Sequence, residues 1–170
     1  MSSPLHIEAF YDAATFTYSY LVLDLDAREA AVIDSVLDFD AKSGRTTTAS
    51  ADAIRFRVDV LAVKVRWHLE THVHADHLSG AIYLKQHLGG AIAIGSKVRA
   101  VQEVFGKIFN AGPEFARDGS QFDRLLQPGD VLSLGRFGIG VMPTPGHTPA
   151  CLSYRIDDGL QSHVFVGDTL

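Results

Sequence analysis

The chain is poor in cysteine, in excess positive charge and in long apolar runs, and each shortage excludes a class. A single cysteine, Cys151, rules out an internal disulfide framework. The 15 basic residues are outnumbered by 20 acidic ones and form no basic run, which argues against a nucleic-acid partner. No apolar stretch approaches the length of a membrane-spanning helix. The start, Met1-Ser2-Ser3-Pro4-Leu5-His6-Ile7-Glu8, carries neither a charged-then-apolar signal pattern nor an arginine-rich transit pattern. These absences lead to the expectation of a cytoplasmic protein with no membrane or nucleic-acid partner. With 170 residues, 46% of them hydrophobic, the chain can build one domain with its own core, taken as 1–170.

What the chain does have is a concentration of imidazole. His72-Val73-His74-Ala75-Asp76-His77 puts three histidines and a carboxylate into six residues, a ligand set suited to zinc or iron. Trp67-His68-Leu69-Glu70-Thr71 before it reads as the end of a buried strand, and Leu78-Ser79-Gly80 after it as the opening of a helix. In extended backbone His72 and His74 would point to the same side and converge on one point. Asp76 and His77 would address a neighbouring point. Two later segments add donors. Thr144-Pro145-Gly146-His147-Thr148-Pro149 aims His147 from a turn stiffened by prolines, with a glycine free to take positive φ. Val164-Phe165-Val166-Gly167-Asp168 reads as a buried strand delivering Asp168 at its tip.

The periodicities organise the rest. Leu5–Tyr11, Tyr18–Asp24 and Ala30–Asp34 read as a meander of three strands. Asp38–Ser50 is polar and reads as an exposed loop. Ala51–Val63 fits a helix with Ala53, Ile54, Val58 and Leu61 on one face. Val65–Glu70 feeds the histidine loop. Ser79–Leu88 reads as a helix stopped by Gly89-Gly90, Ala91–Ile94 as a buried strand, and Ser96 as the cap of a helix reaching about Phe109. Asn110–Arg124 is irregular. Val131–Leu134, Phe137–Met142, Cys151–Ile156 and His163–Val166 read as four further strands.

The ordered set Thr71-His72-x-His74-x-Asp76-His77, Pro145-Gly146-His147-Thr148 and Gly167-Asp168 resembles the metallo-β-lactamase superfamily over nearly the whole chain. Within it, Thr15-Phe16-Thr17-Tyr18, Ala31-Val32-Ile33-Asp34-Ser35-Val36-Leu37, Glu70-Thr71-His72-Val73-His74-Ala75-Asp76-His77-Leu78-Ser79-Gly80 and Thr144-Pro145-Gly146-His147-Thr148-Pro149-Ala150-Cys151 resemble persulfide dioxygenases and β-lactamase-hydrolase-like proteins, with glyoxalase II nearby. Ser35 departs from the proline frequent in that branch. The resemblance implies an α/β fold, an αββα sandwich of two mixed sheets with outer helices. It implies a metal-dependent enzyme, in one of two arrangements. In the first, His72, His147 and Asp168 hold one Fe(II), O2 is a co-substrate, and glutathione persulfide or a similar small persulfide becomes sulfite. His74, Asp76 and His77 then orient the ligands from behind, and Asp76 is the carboxylate assigned a catalytic part. In the second, one or two Zn(II) ions serve a thioester hydrolase. His72, His74 and His147 hold one ion there, and Asp76, His77 and Asp168 help to hold the other. A third reading, from another class, is a non-catalytic metal-binding module or assembly partner.

The family normally continues past Asp168, so the C-terminal part of the fold is expected to be missing. An unpaired strand edge and a contiguous apolar face would follow, covered by a second copy of the chain or by a further C-terminal segment. Elsewhere the structural reading is favoured. Cys151 reads as a small core residue, His6, His68, His87 and His163 as structural histidines, and Tyr18 as core despite its reach toward the site. Lys97, Arg99 and Lys107 read as a solvated face. Asp34 is either a hydrogen-bond acceptor for the histidine loop or a plain turn aspartate.

Overall fold

The computed structural model describes residues 4–169. In chain order its elements are β1 (Leu5–Asp12), β2 (Thr17–Asp24), β3 (Glu29–Ile33), β4 (Val36–Asp40), β5 (Arg45–Thr47), α1 (Ala49–Leu61), β6 (Lys64–Leu69), β7 (Leu78–Ser79), α2 (Ala81–Leu88), β8 (Ala91–Gly95), α3 (Val98–Ile108), β9 (Arg124–Leu126), β10 (Val131–Leu134), β11 (Phe137–Pro143), β12 (Leu152–Asp157) and β13 (Ser162–Phe165). The larger sheet runs β1-β2-β3-β6-β8-β9. Its first three strands are an antiparallel meander, and β3, β6, β8 and β9 are parallel. The smaller sheet, β10-β11-β12-β13, is antiparallel throughout.

Side-chain alternation explains the layering. In β3, Ala31 and Ile33 face the second sheet, whereas Ala30 and Val32 face the helices. Val22 divides from Leu21 and Leu23 in the same way on β2. A strand buried on both faces reads as a continuous apolar run, which is what Ala30-Ala31-Val32-Ile33 supplies after Glu29. Between the sheets lie Leu69, Leu126, Leu132, Leu134, Ile139, Tyr154 and Ile156, all but closed to solvent. On the other face α1 sets Ala51, Ile54 and Val58, and α2 sets Leu84, against the sheet. Gly80 begins α2 where a Cβ would meet the Val36 carbonyl oxygen at 2.8 Å, so only glycine passes. No helix among the described residues is long and apolar enough to cross a membrane.

Several boundaries differ from the sequence reading. The expected loop over 38–50 contains a small exposed hairpin, β4 with β5. Asp40 closes its turn by accepting from the Lys42 N–H and the Ser43 hydroxyl, which lets so polar a stretch pair. Leu78 and Ser79 do not open α2; they pair with β4 as β7. Ser96 does not cap α3: Lys97 holds the cap position, no side-chain cap bond forms, and the Ser96 N–H ties the segment to the Leu126 carbonyl. The smaller sheet does leave the free side of β13 unpaired among the described residues. Among the described residues the outer side of this sheet is mixed and not the contiguous apolar face expected: it carries Ser133, Gly138, Gly140, Arg155, Asp157 and Ser162 around Val131, Met142 and Val164. Polar and glycine residues alternate with the core-facing ones, so this face tolerates water as it stands.

Candidate metal centre

The chain leaves β6 at Leu69 and enters an irregular loop that both sheets hold. The Glu70 N–H bonds the Ala93 carbonyl, and the Tyr154 hydroxyl donates to the Glu70 carbonyl at 2.7 Å. The Leu152 N–H meets the Thr71 carbonyl at 2.9 Å. From the far side Asp34 accepts three hydrogen bonds: from the Thr71 N–H at 2.7 Å, the Thr71 hydroxyl at 2.9 Å and the His74 ring at 3.1 Å. Asp34 is therefore the acceptor for the histidine loop and not a plain turn aspartate. It holds φ +50°, a conformation that aspartate tolerates better than most residues.

These bonds fix the state of His72. The Thr71 hydroxyl spends its proton on Asp34, so its 2.9 Å contact with His72 Nδ1 requires the proton to sit on Nδ1. His72 Nε2 is left with a bare lone pair. That atom is buried and has no hydrogen-bond partner among the described residues. Burial, then the neighbouring His74, pushes the His72 imidazole down toward its neutral form. A buried, unprotonated and unpaired nitrogen costs free energy unless something electrophilic meets it.

His147 and Asp168 face it from the second sheet. His147 lies on a turn closed by Thr144 N–H to Cys151 O and Cys151 N–H to Thr148 O. Gly146 does not take positive φ as the sequence suggested; the turn is held by these backbone bonds instead. Asp168 follows Gly167, whose φ is +54° and whose Cβ, if it had one, would sit 2.4 Å from the Thr71 hydroxyl oxygen. That close approach brings Asp168 Oδ2 to 3.7 Å from both His72 Nε2 and His147 Nε2. One donor atom from each of the three lies within 4.8 Å of the others. Bonds of about 2.0–2.2 Å to one ion put neighbouring donors roughly 3–3.5 Å apart, so the two separations to Asp168 need only a slight contraction. Two imidazoles and a carboxylate fit iron or zinc.

His74 does not converge with His72, although their rings lie 4.1 Å apart. The loop has left extended backbone, so the two-residue alternation no longer applies. His74 Nε2 instead lies 3.1 Å from Asp34 and 3.3 Å from Glu70. Burial alone would depress this imidazole, but the two carboxylates push it up to about 10. His74, Asp76 and His77 bring donor atoms within 4.8 Å of one another and form a second group. His77 Nδ1 donates to the Leu78 carbonyl, and its buried Nε2 has no partner among the described residues. For Asp76, burial favours the neutral acid, but its own backbone N–H and the Thr17 hydroxyl at 3.0 Å hold it below the usual range.

Glu70 and Thr71 carry structural weight that sequence reasoning left unassigned. The available signal was a charged residue placed at the end of an apolar strand, directly before the histidines. Glu70 is buried, which pushes its carboxyl up, and it accepts from the Ser79 hydroxyl at 2.5 Å. Tyr18 is not core: it is about half exposed, tilted against Tyr11 and stacked on Tyr20. With Thr15, Tyr20, Asp34, Asp76 and Asp168 it lines a polar cavity of about 270 Å³. Cys151 is buried beside Thr148, as expected of a small core residue. His68 is buried and donates to the Gly89 carbonyl; His6, His87 and His163 have local partners.

The profile of the metallo-beta-lactamase superfamily matches residues 13–170. A probable metallo-hydrolase of Burkholderia pseudomallei is 60% identical, over 96% of this chain and 58% of its own length. Persulfide dioxygenase ETHE1, mitochondrial, of Mus musculus is 30% identical, over 99% of this chain and 54% of its own. The crystal structure of ETHE1 from Myxococcus xanthus superposes with a TM-score of 0.73 at 25% identity, covering 97% of this chain and 58% of that one. The chain thus spans little more than half the length of the relatives it matches.

Proposed function

The chain belongs to the metallo-beta-lactamase superfamily, and we propose that it is a persulfide dioxygenase that holds one Fe(II) on His72, His147 and Asp168. The reaction is RSSH + O2 + H2O → RSH + SO3²⁻ + 2H⁺, with glutathione persulfide or a similar small persulfide as RSSH. The observation that carries the reading is the grouping of the bare Nε2 of His72 with donors from His147 and Asp168, while His74 is turned away onto Asp34 and Glu70. Two histidines and one carboxylate leave open positions on Fe(II), which supplies the redox chemistry that zinc lacks.

The chain's own residues have separable tasks in this reading. Asp34 and Thr71 keep the proton of His72 on Nδ1 and its Nε2 free. The polar cavity shared by Asp76 and Asp168 admits the substrate. Asp76, kept ionised with the help of Thr17, lines that cavity as a hydrogen-bond acceptor that orients what enters it. Tyr18 and Tyr20 wall the same cavity and limit its width.

A second reading is a dinuclear zinc thioester hydrolase. The partnerless Nε2 of His77, in the group with His74 and Asp76, favours it, as does the likeness to a probable metallo-hydrolase. Metal analysis and an oxygen electrode separate the two. One iron per chain and oxygen uptake with glutathione persulfide are expected. His72→Ala should abolish both, while His74→Ala should keep some iron and lose about 10–100-fold in activity. Two zinc ions per chain, thioester cleavage and no oxygen uptake would overturn the first reading.

A further inference from the structure

Two of the three converging donors are exposed and come from separate segments of the smaller sheet, His147 from between β11 and β12 and Asp168 from the residues after β13. The β-ladder does not hold them together: the pairing of β12 with β13 ends at Tyr154 with Phe165, before Asp168 is reached. What joins the two segments is a row of hydroxyls. The Thr169 hydroxyl lies 3.2 Å from Thr144 Oγ1 and 3.4 Å from the Thr144 carbonyl. Thr144 Oγ1 in turn lies 2.8 Å from Ser153 Oγ, which is fully buried on β12. Among the described residues, these Thr169 contacts are the hydrogen bonds that join 166–169 to the turn carrying His147.

Thr144 sits at the middle of this row. It begins the His147 turn, and its N–H closes that turn on the Cys151 carbonyl. Its hydroxyl is anchored inward by Ser153 and grips outward the residue that follows Asp168. A residue lacking this oxygen would leave both segments intact in themselves, joined only by the longer 3.4 Å contact of Thr169 with the Thr144 carbonyl. The separation that matters is the 3.7 Å between His147 Nε2 and Asp168 Oδ2.

We propose that Thr144 is a positioning residue whose hydroxyl, bridging Ser153 and Thr169, sets the spacing of His147 and Asp168 for a shared metal ion. This rests on the metal-binding reading above. The variant Thr144→Val keeps the shape and removes the oxygen. Titrated with Fe(II), and with Co(II) for its visible spectrum, Thr144→Val should bind about 10-fold or more weakly, with an altered Co(II) spectrum. Its metal-free melting curve should stay close to that of the parent. Thr144→Ser, which keeps the hydroxyl, should restore affinity and spectrum.

Parent-like affinity and spectrum in Thr144→Val would overturn the proposal while leaving the metal reading intact. Failure of Thr144→Ser to restore them would do the same, because a hydroxyl at this position would then not be enough to set the spacing. Should Thr144→Val not fold, Thr169→Val cuts the same row at a half-buried position. Thr169→Val is expected to weaken binding in the same way, and unchanged binding there overturns the proposal. A parent protein that binds neither metal removes the metal reading and this inference with it.

Discussion

Replacing Asp34 by asparagine tests the proton arrangement at His72 without changing shape. Asp34 Oδ1 accepts from the Thr71 N–H and from His74, and Oδ2 accepts from the Thr71 hydroxyl. An asparagine can keep its oxygen toward the Thr71 N–H only by turning its NH2 toward the Thr71 hydroxyl. That hydroxyl must then give its proton to His72 Nδ1, which moves the His72 proton onto Nε2, the atom aimed at His147 and Asp168. The opposite amide orientation sets donor against donor at the Thr71 N–H. Either way one buried hydrogen bond is lost or a metal-binding lone pair is blocked, at a cost of about 1–3 kcal/mol. With 1.4 kcal/mol per factor of ten, metal affinity in Asp34→Asn should fall roughly 5–150-fold. Asp34→Ala loses all three acceptors and also places alanine at φ +50°, which adds about 1–2 kcal/mol. Urea titration of the metal-free protein should therefore rank parent, Asp34→Asn, Asp34→Ala in falling stability. Calorimetric metal titration should show the affinity loss already in Asp34→Asn. Parent-like metal affinity in Asp34→Asn, or an Asp34→Ala no less stable than Asp34→Asn, would refute the reasoning.

Two further outcomes follow from separate features. Gly167→Ala places a Cβ 2.4 Å from the Thr71 hydroxyl oxygen at a φ of +54°, so it should weaken metal binding by at least about 10-fold as Asp168 is displaced; equilibrium dialysis against Co(II) checks this. His68 is buried, and that burial, set against its bond to Gly89, holds its imidazole below the ordinary value of 6.5. The unfolded chain therefore binds the proton more readily than the folded one. The stability from a neutral His68 is present above about pH 6.5 and is lost as pH falls through the lowered folded value. Urea midpoints at pH 7.5 and pH 5 should differ less in His68→Gln than in the parent, and an equal difference would refute this source of the acid sensitivity.

The strand pattern was legible because apolar alternation and continuous apolar runs are local signals. Ala30 to Ile33 reads as a doubly buried strand from its composition alone. The hairpin of β4 and β5 was not legible, because polar residues gave no alternation and an aspartate closing its own turn leaves only a weak mark. The donor types were legible too, since three ordered motifs carry them. The division of labour was not. Whether His74 joins His72 depends on Asp34, forty positions earlier, and on a loop that bends out of strand geometry. The fit of Gly167 over Thr71 depends on two segments 96 positions apart that meet only when the sheets stack. Neither contact has a periodicity to read.

The donors are split between layers in a way that ties site and fold together. His72 comes from the connection after β6, in the larger sheet, and its neighbour Thr71 is bonded to Leu152 of the smaller one. His147 and Asp168 come from segments of the smaller sheet alone. An ion at their meeting point would therefore cross-link the two sheets as well as complete the site. Its binding free energy would add to the stability of the stacked state, by about 2.7 kcal/mol at a free metal concentration a hundred times the dissociation constant. The apolar layer of Leu69, Leu132, Tyr154 and Ile156 sets the distance between the sheets to begin with. Thr71, packed beneath Gly167, and Thr144, gripped by Thr169, then convert that distance into donor spacing. A site assembled this way depends on packing between the sheets as well as on its histidines, because His72 and Asp168 belong to segments that meet only when the sheets stack.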